Sequence, residues 1–127
     1  MIVADASVAV QALLVNGVAR QQLGDEEIHV PGLIDVEIVS AVRRLEAARI
    51  LGTSQAERAL GIWRRMGVRR HLGYMLTGRL WELRHNLSAY DATYVALAEV
   101  LGCPLVTADR GMATAPGVSC PVVCLPS

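Results

Sequence analysis

The chain has 127 residues, a formal net charge of zero and a hydrophobic fraction of 53%, which suit a single globular domain, 1–127, with a core of its own. No run approaches the roughly 18 apolar residues of a membrane helix, and an acid at Asp5 with no basic leader argues against a signal peptide. All twelve basic residues are arginine, so every mechanism that needs a lysine is excluded. The high apolar fraction fits a tight α/β core or an apolar surface used by a partner. Cys103, Cys120 and Cys124 are an odd set without paired metal spacing, read as buried, reduced cytosolic thiols, and a cytoplasmic location is expected.

Met1 to Ala4 reads as a buried first strand, and Asp5-Ala6-Ser7 opens a helix through Leu14 with Asp5 or Ser7 as its N-cap. A short helix over Val18 to Leu23 precedes a strand at Ile28 to Val30, which Pro31-Gly32 stops. Pro31 suits entry to a long helix from Leu33 to Arg49, closed by Leu51-Gly52. Ser54 and Glu57 have capping-box spacing for a further helix ending near Met66-Gly67. A short strand at Val68 to Leu72 and a helix from Met75 to His85 follow.

Ser88 then caps a helix running through Glu99, with Asp91 at the capping-box position. Cys103 to Thr107 is a fourth strand ending in Ala108-Asp109, and Pro-flanked Val122 to Leu125 is a fifth, expected at an edge. Strands alternating with helices predict an α/β fold with a parallel sheet of about five strands and helices on both faces.

In such a sheet, ligands bind beyond the carboxyl ends of the strands near a topological switch point. Asp5 and Asp109 each fall at the end of a predicted strand, and Glu37 lies in the helix after the second strand, beside Leu33, Ile34 and Ala41. Asp91 shares a helical stripe with Leu87, Val95 and Ala98. A carboxylate on an apolar stripe is costly unless a cation or donors meet it. Taken singly, each acid also reads as a cap, a turn residue or a solvated charge; their joint placement carries the functional reading.

Two carboxylates about 4 Å apart repel by roughly 4 kcal/mol at an effective dielectric of 20. Four convergent acids therefore need a cation, and an all-oxygen donor set favours Mg²⁺ or Mn²⁺ over Zn²⁺. Mg²⁺ keeps several waters and uses few carboxylates, which suits metal-activated water attacking a phosphodiester.

The chain resembles the PIN-domain family, and closely the VapC-type toxins of bacterial toxin–antitoxin pairs. The likeness rests on the opening strand into Asp5-Ala6-Ser7, Glu37 within Val36-Glu37-Ile38-Val39-Ser40-Ala41, the segment Trp81 to Glu99 around Asp91, and Thr107-Ala108-Asp109. It spans Met1 to Leu125, and none of the four acids departs from the pattern. The resemblance implies a three-layer α/β/α PIN fold and a Mg²⁺- or Mn²⁺-dependent endoribonuclease, dimeric and neutralised by a cognate VapB-like antitoxin. It implies that Asp5, Asp91 and Asp109 hold the principal metal, while Glu37 binds a second metal or orients the attacking water. Ser7 and Thr107 then bond carboxylates or waters, or serve as ordinary capping hydroxyls.

Other residues carry weaker signals. Arg64, Arg65, Arg69, Arg70 and His71 cluster near a helix end, and Arg43 pairs with Arg44; a solvated face is the default reading and phosphate guidance the alternative. Trp63 and Trp81 read as packing residues before stacking platforms. His29, His71 and His85 have no telling carboxylate or nucleophile spacing and receive no catalytic role. A phosphorelay receiver has a similar length and strand-end acids, but it needs a lysine that this chain lacks. A PIN nuclease of RNA maturation, or an inactive PIN-like binding module, would share the same motifs.

Overall fold

The computed structural model describes all residues, 1–127. Five short strands, β1 (Ile2–Ala4), β2 (Ile28–Pro31), β3 (Arg69–His71), β4 (Leu105–Thr107) and β5 (Val122–Cys124), form one sheet in the order β3-β2-β1-β4-β5. Every neighbouring pair is parallel. The chain first builds outward from β1 through β2 to β3, then returns to place β4 on the other side of β1. Right-handed crossovers put the helices of these two journeys on opposite faces. The first group is α1 (Ala6–Leu14), α2 (Val18–Gly24), α3 (Ile34–Ala47) and α4 (Thr53–Arg65), whose members pack on one another. The second comprises a 3₁₀ turn (Tyr74–Leu76), α5 (Thr77–Glu82), α6 (Ala89–Leu101) and α7 (Arg110–Thr114). The result is the expected three-layer arrangement, with β5 at an edge as its prolines indicate.

Helix α6 is the core of the second layer. It packs across β1, β2 and β4 and under α5. Ala92 through Ala98 are all buried, so the helix is enclosed on every side rather than along the one predicted stripe. Ser88 caps it, with its Oγ accepting from the Asp91 amide at 3.1 Å. Gly102 ends it at φ +66°, a left-handed conformation that glycine adopts without steric cost.

Strand ends shift by one or two residues, and three helices differ from the predicted bounds in ways that have a local cause. Helix α4 begins at Thr53, before Ser54, because the Gln55 side chain reaches back to accept from the Gly52 amide at 2.9 Å. The predicted helix from Met75 to His85 is reduced to the 3₁₀ turn and six residues of α5. Helix α3 stops at Ala47 rather than Arg49, and Arg49 itself takes the left-handed conformation at φ 58°.

Asp35 binds three elements. It accepts from Trp63 Nε1 on α4 at 2.7 Å and from Arg70 on β3 through two bonds of 2.8 Å. Successive residues on a strand face opposite sides, so Arg70 turns to α3 and α4 while Arg69 pairs with Glu27 at 3.2 Å. The arginine cluster of the sequence is therefore divided between two faces. Arg79 similarly ties α5 to Glu99 of α6 at 2.8 and 3.1 Å and to the Gly117 carbonyl at 2.6 Å.

Parallel β2–β3 register brings His29 and His71 together, and His29 also meets Glu27 two residues before it. His29 Nε2 lies 2.8 Å from Glu27 Oε1, and its Nδ1 lies 2.8 Å from His71 Nε2. The three cysteines are free as expected, but only Cys103 is buried and Cys124 is exposed. Trp63 is in the core, whereas Trp81 is exposed beneath the Arg84 guanidinium, 4.2 Å from the ring centre. Leu72, Tyr74 and Met75 are also exposed. No helix is long and apolar enough to cross a membrane.

A left-handed non-glycine residue costs roughly 1–2 kcal/mol relative to a compatible glycine. Arg49→Gly is accordingly expected to raise unfolding stability by about 1 kcal/mol, measured by denaturant titration.

Candidate active site

The switch between the two chain journeys falls between β1 and β4, so the crevice opens at their carboxyl ends. Asp5 directly follows β1, and Asp109 lies two residues beyond β4. Asp5 caps α1, accepting from the Val8 amide at 3.1 Å. Ser7 Oγ donates to Asp5 Oδ1 at 2.6 Å, and Thr107 Oγ1 donates to Asp5 Oδ2. The Asp109 amide donates to Thr107 Oγ1 at 2.9 Å, and the Ala108 amide donates to Ser7 Oγ at 3.0 Å. The two strand ends are thus stitched through Ser7 and Thr107, which hold Asp5 in one orientation.

Glu37 enters from the first turn of α3 and Asp91 from the first turn of α6. The Asp91 carboxylate lines the cleft rather than returning to the Ser88 amide. All four predicted acids therefore border one cleft of about 330 Å³, with Ser7, Ser40, Arg44 and Tyr94. The Tyr94 hydroxyl donates to Glu37 Oε1, joining α6 to α3 across the cleft. Tyr94 had not been singled out from the sequence. Its i+3 spacing from Asp91 was the available signal, since residues three apart share a helix face.

The electrostatics separate these acids from the others. Glu26, Glu27, Asp35, Glu82 and Glu99 have ion-pair partners, whereas Asp5, Glu37, Asp91 and Asp109 have none; Asp25, Glu46 and Glu57 are also unpaired but lie outside the cleft, so what sets the four apart is that they share one. Burial pushes the Asp5 carboxyl above its ordinary range, and the charge of Asp109 adds to this, against the bonds from Ser7, Thr107 and Val8. Burial likewise raises Glu37, with Asp91 and Asp5 contributing and the Tyr94 bond opposing. Asp91 is raised by burial and by Asp109 and Asp5. These acids sense one another's charge.

The donor chemistry fits a hard divalent cation. The acids are oxygen donors, and none of the chain's histidines or cysteines lines the cleft, which suits Mg²⁺ or Mn²⁺ rather than Zn²⁺. As they stand, no three of the chain's potential ligands form a ready-made ion cage. Carboxylates without a counter-ion are expected to stand apart in this way. Sites of this chemistry can position a water, polarise a phosphoryl oxygen and accept a proton.

A PIN-domain family model matches residues 2–118. The chain is 51% identical over 126 residues to Ribonuclease VapC9 of Mycobacterium tuberculosis, covering 99% of both chains. Ribonuclease VapC1 of the same organism is 38% identical over 134 residues, with 94% of each chain covered. Among solved structures, M. tuberculosis VapC20, a sarcin-ricin loop cleaving toxin, has a TM-score of 0.66 at 22% identity, covering 94% of this chain and 97% of that one. VapBC2 from Rickettsia felis, bound to a DNA fragment from its promoter, has a TM-score of 0.71 at 16% identity, covering 98% and 99%. The structural likenesses establish the fold.

The raised carboxyls set a sign for pH dependence. Their protonated forms are favoured by folding, so their contribution is fully present below about pH 4 and is lost as pH rises through the raised values. The stability of Asp91→Asn relative to wild type is therefore expected to increase from pH 4 to pH 7 without divalent cation, read from paired denaturant titrations.

Proposed function

The chain belongs to the PIN-domain family and is of the VapC type, and from that premise we propose that it is a Mg²⁺- or Mn²⁺-dependent endoribonuclease toxin, neutralised by a cognate antitoxin. The observation that carries this reading is the cleft at the β1–β4 switch, which four acids line without an ion-pair partner. The ribonuclease names of its full-length relatives supply the substrate class. The toxin–antitoxin complex from Klebsiella pneumoniae, with a TM-score of 0.68, is an example of this fold beside a neutralising partner.

Asp5, Asp91 and Asp109 are the residues that would hold the principal cation. When bound, the cation supplies positive charge to the phosphate oxygens and lowers the pKa of water. The chain's own residues set the geometry. Ser7 and Thr107 fix Asp5, and Tyr94 fixes the Glu37 carboxyl. Glu37 orients the attacking water and accepts its proton, a role favoured by a carboxyl raised towards the working pH. Attack at phosphorus breaks the bond to the 3′ oxygen of the preceding nucleotide, which takes a proton from solvent water to leave as a hydroxyl, with the phosphate kept on the other fragment. The acidic cleft is also suited to inhibition by an antitoxin segment that inserts an arginine, which would satisfy the carboxylates without supplying a reactive water. A homodimer is part of this proposal, and its basis is the set of exposed apolar side chains, including Leu72, Tyr74 and Met75.

Cleavage of a mixed RNA pool in Mg²⁺, Mn²⁺ or EDTA, by wild type and Asp91→Asn, tests the reading. Discrete fragments are expected only with wild type and a divalent cation, with at least a hundredfold loss in the variant. Metal-independent fragments that persist in Asp91→Asn would overturn the assignment.

A further inference from the structure

A cleft rich in carboxylates repels the phosphate chain it is proposed to cut, so something besides a cation must draw RNA in. One positively charged side chain lines the cleft, Arg44. It lies seven residues after Glu37 on α3, two turns along the same face. Helical side chains lean towards the N-terminus of their helix, and Arg44 does so: its Nη1 donates to Ser40 Oγ at 2.9 Å, one turn nearer Glu37. The guanidinium is thereby aimed along α3 towards the acids.

The same guanidinium forms no ion pair, although four carboxylates share its cleft. Only Arg69, Arg70 and Arg79 are committed to a carboxylate, so it is the place of Arg44 in the acidic cleft, and not the lack of a pair alone, that sets it apart. Arg44 uses one donor on a serine hydroxyl, which leaves most of its five N–H groups free. A cation that is positioned but not neutralised, at the border of an acidic cleft, matches an anion delivered from outside. A guanidinium binds two phosphate oxygens at once in a planar fork, which an ammonium cannot do.

We infer that Arg44 contacts the substrate directly, gripping a backbone phosphate of the RNA beside the bond to be cut, with Ser40 holding its side chain in place. This inference rests on the proposed ribonuclease function. It divides labour within the cleft: the acids serve the reacting phosphate through the cation, and Arg44 sets the register of the strand by holding a neighbouring one. Arg44 therefore contributes mainly to binding, and its loss is read in KM.

The test compares wild type, Arg44→Gln, Arg44→Lys and Arg58→Gln. Arg58 is an exposed α4 arginine outside the cleft, and its variant controls for the loss of one positive charge. Cleavage kinetics are measured on an RNA that wild type cuts, and binding of the same RNA by fluorescence anisotropy in EDTA. Arg44→Gln is expected to raise both KM and Kd about tenfold, the scale of a charge-assisted hydrogen bond, with kcat within about twofold. Arg44→Lys falls between, because charge is kept and the fork is lost. Arg58→Gln matches wild type. Thermal melts establish folding, and the lysine variant, which keeps the stem and charge, carries the test if Arg44→Gln melts early.

If wild type cuts RNA but Arg44→Gln retains wild-type KM and Kd, or weakens no more than Arg58→Gln, the inference on Arg44 fails and the ribonuclease reading stands. If wild type neither binds nor cuts RNA in any divalent cation, the ribonuclease reading fails and the role of Arg44 falls with it.

Discussion

The parallel pairing of β1 with β4 is the constraint on which the rest depends. In the register Val3 with Leu105 and Ala4 with Val106, the residues immediately beyond each strand come side by side. Asp5 is then 2% exposed, at the N-terminus of α1, where backbone amides and the helix dipole favour its negative charge while burial opposes it. Ser7 and Thr107 resolve that conflict by donating to both carboxylate oxygens. A carboxylate has about four acceptor positions, and three are filled by Ser7, Thr107 and Val8. The structure thus fixes Asp5 without neutralising it.

Around that fixed point, two helices enter from opposite faces of the sheet. Helix α3 brings Glu37, Ser40 and Arg44, and α6 brings Asp91 and Tyr94. Each helix is anchored at a distance from the cleft, α3 through Asp35 to Trp63 and Arg70, and α6 through Glu99 to Arg79. Those anchors use complete ion pairs, whose carboxyls Arg70 and Arg79 hold below the ordinary range. Asp5, Glu37 and Asp91 move in the other direction. The ion pairs fix how the two helices sit on the apolar core, while the cleft carboxylates are left without a counter-charge, a common division between scaffold and functional site.

Much of this was legible in the sequence because it follows from short-range rules. Strand-to-helix junctions revealed Asp5 and Asp109, Ser88 marked the start of α6, and the alternation of elements gave a parallel sheet with β5 at its edge. Long-range side-chain choices were not legible. Nothing in the spacing tells that Arg70 and Arg69 divide between Asp35 and Glu27, since that depends on the β2–β3 register and the strand's alternation. The contact of His29 with His71 arises from the same register, whereas that with Glu27 is local, two residues along the chain. Local competition displaced the boundaries: Gln55 captured the start of α4 in place of Ser54, and Arg49 adopted the left-handed bend earlier than the nearby Gly52. Tyr94 joined the site because α6 is enclosed on all sides, which lets its hydroxyl reach Glu37 on another helix.

The central claim is that the unpaired acids at the β1–β4 crevice form a divalent-cation site. Calorimetric titration of Mn²⁺ into wild type and into Asp109→Asn, at constant pH and ionic strength, tests it most directly. The account predicts saturable binding to wild type and at least a tenfold weaker affinity in the variant, because one of the negatively charged ligands is removed without altering the core. Absence of saturable binding to wild type, or equal affinity in both proteins, would contradict it.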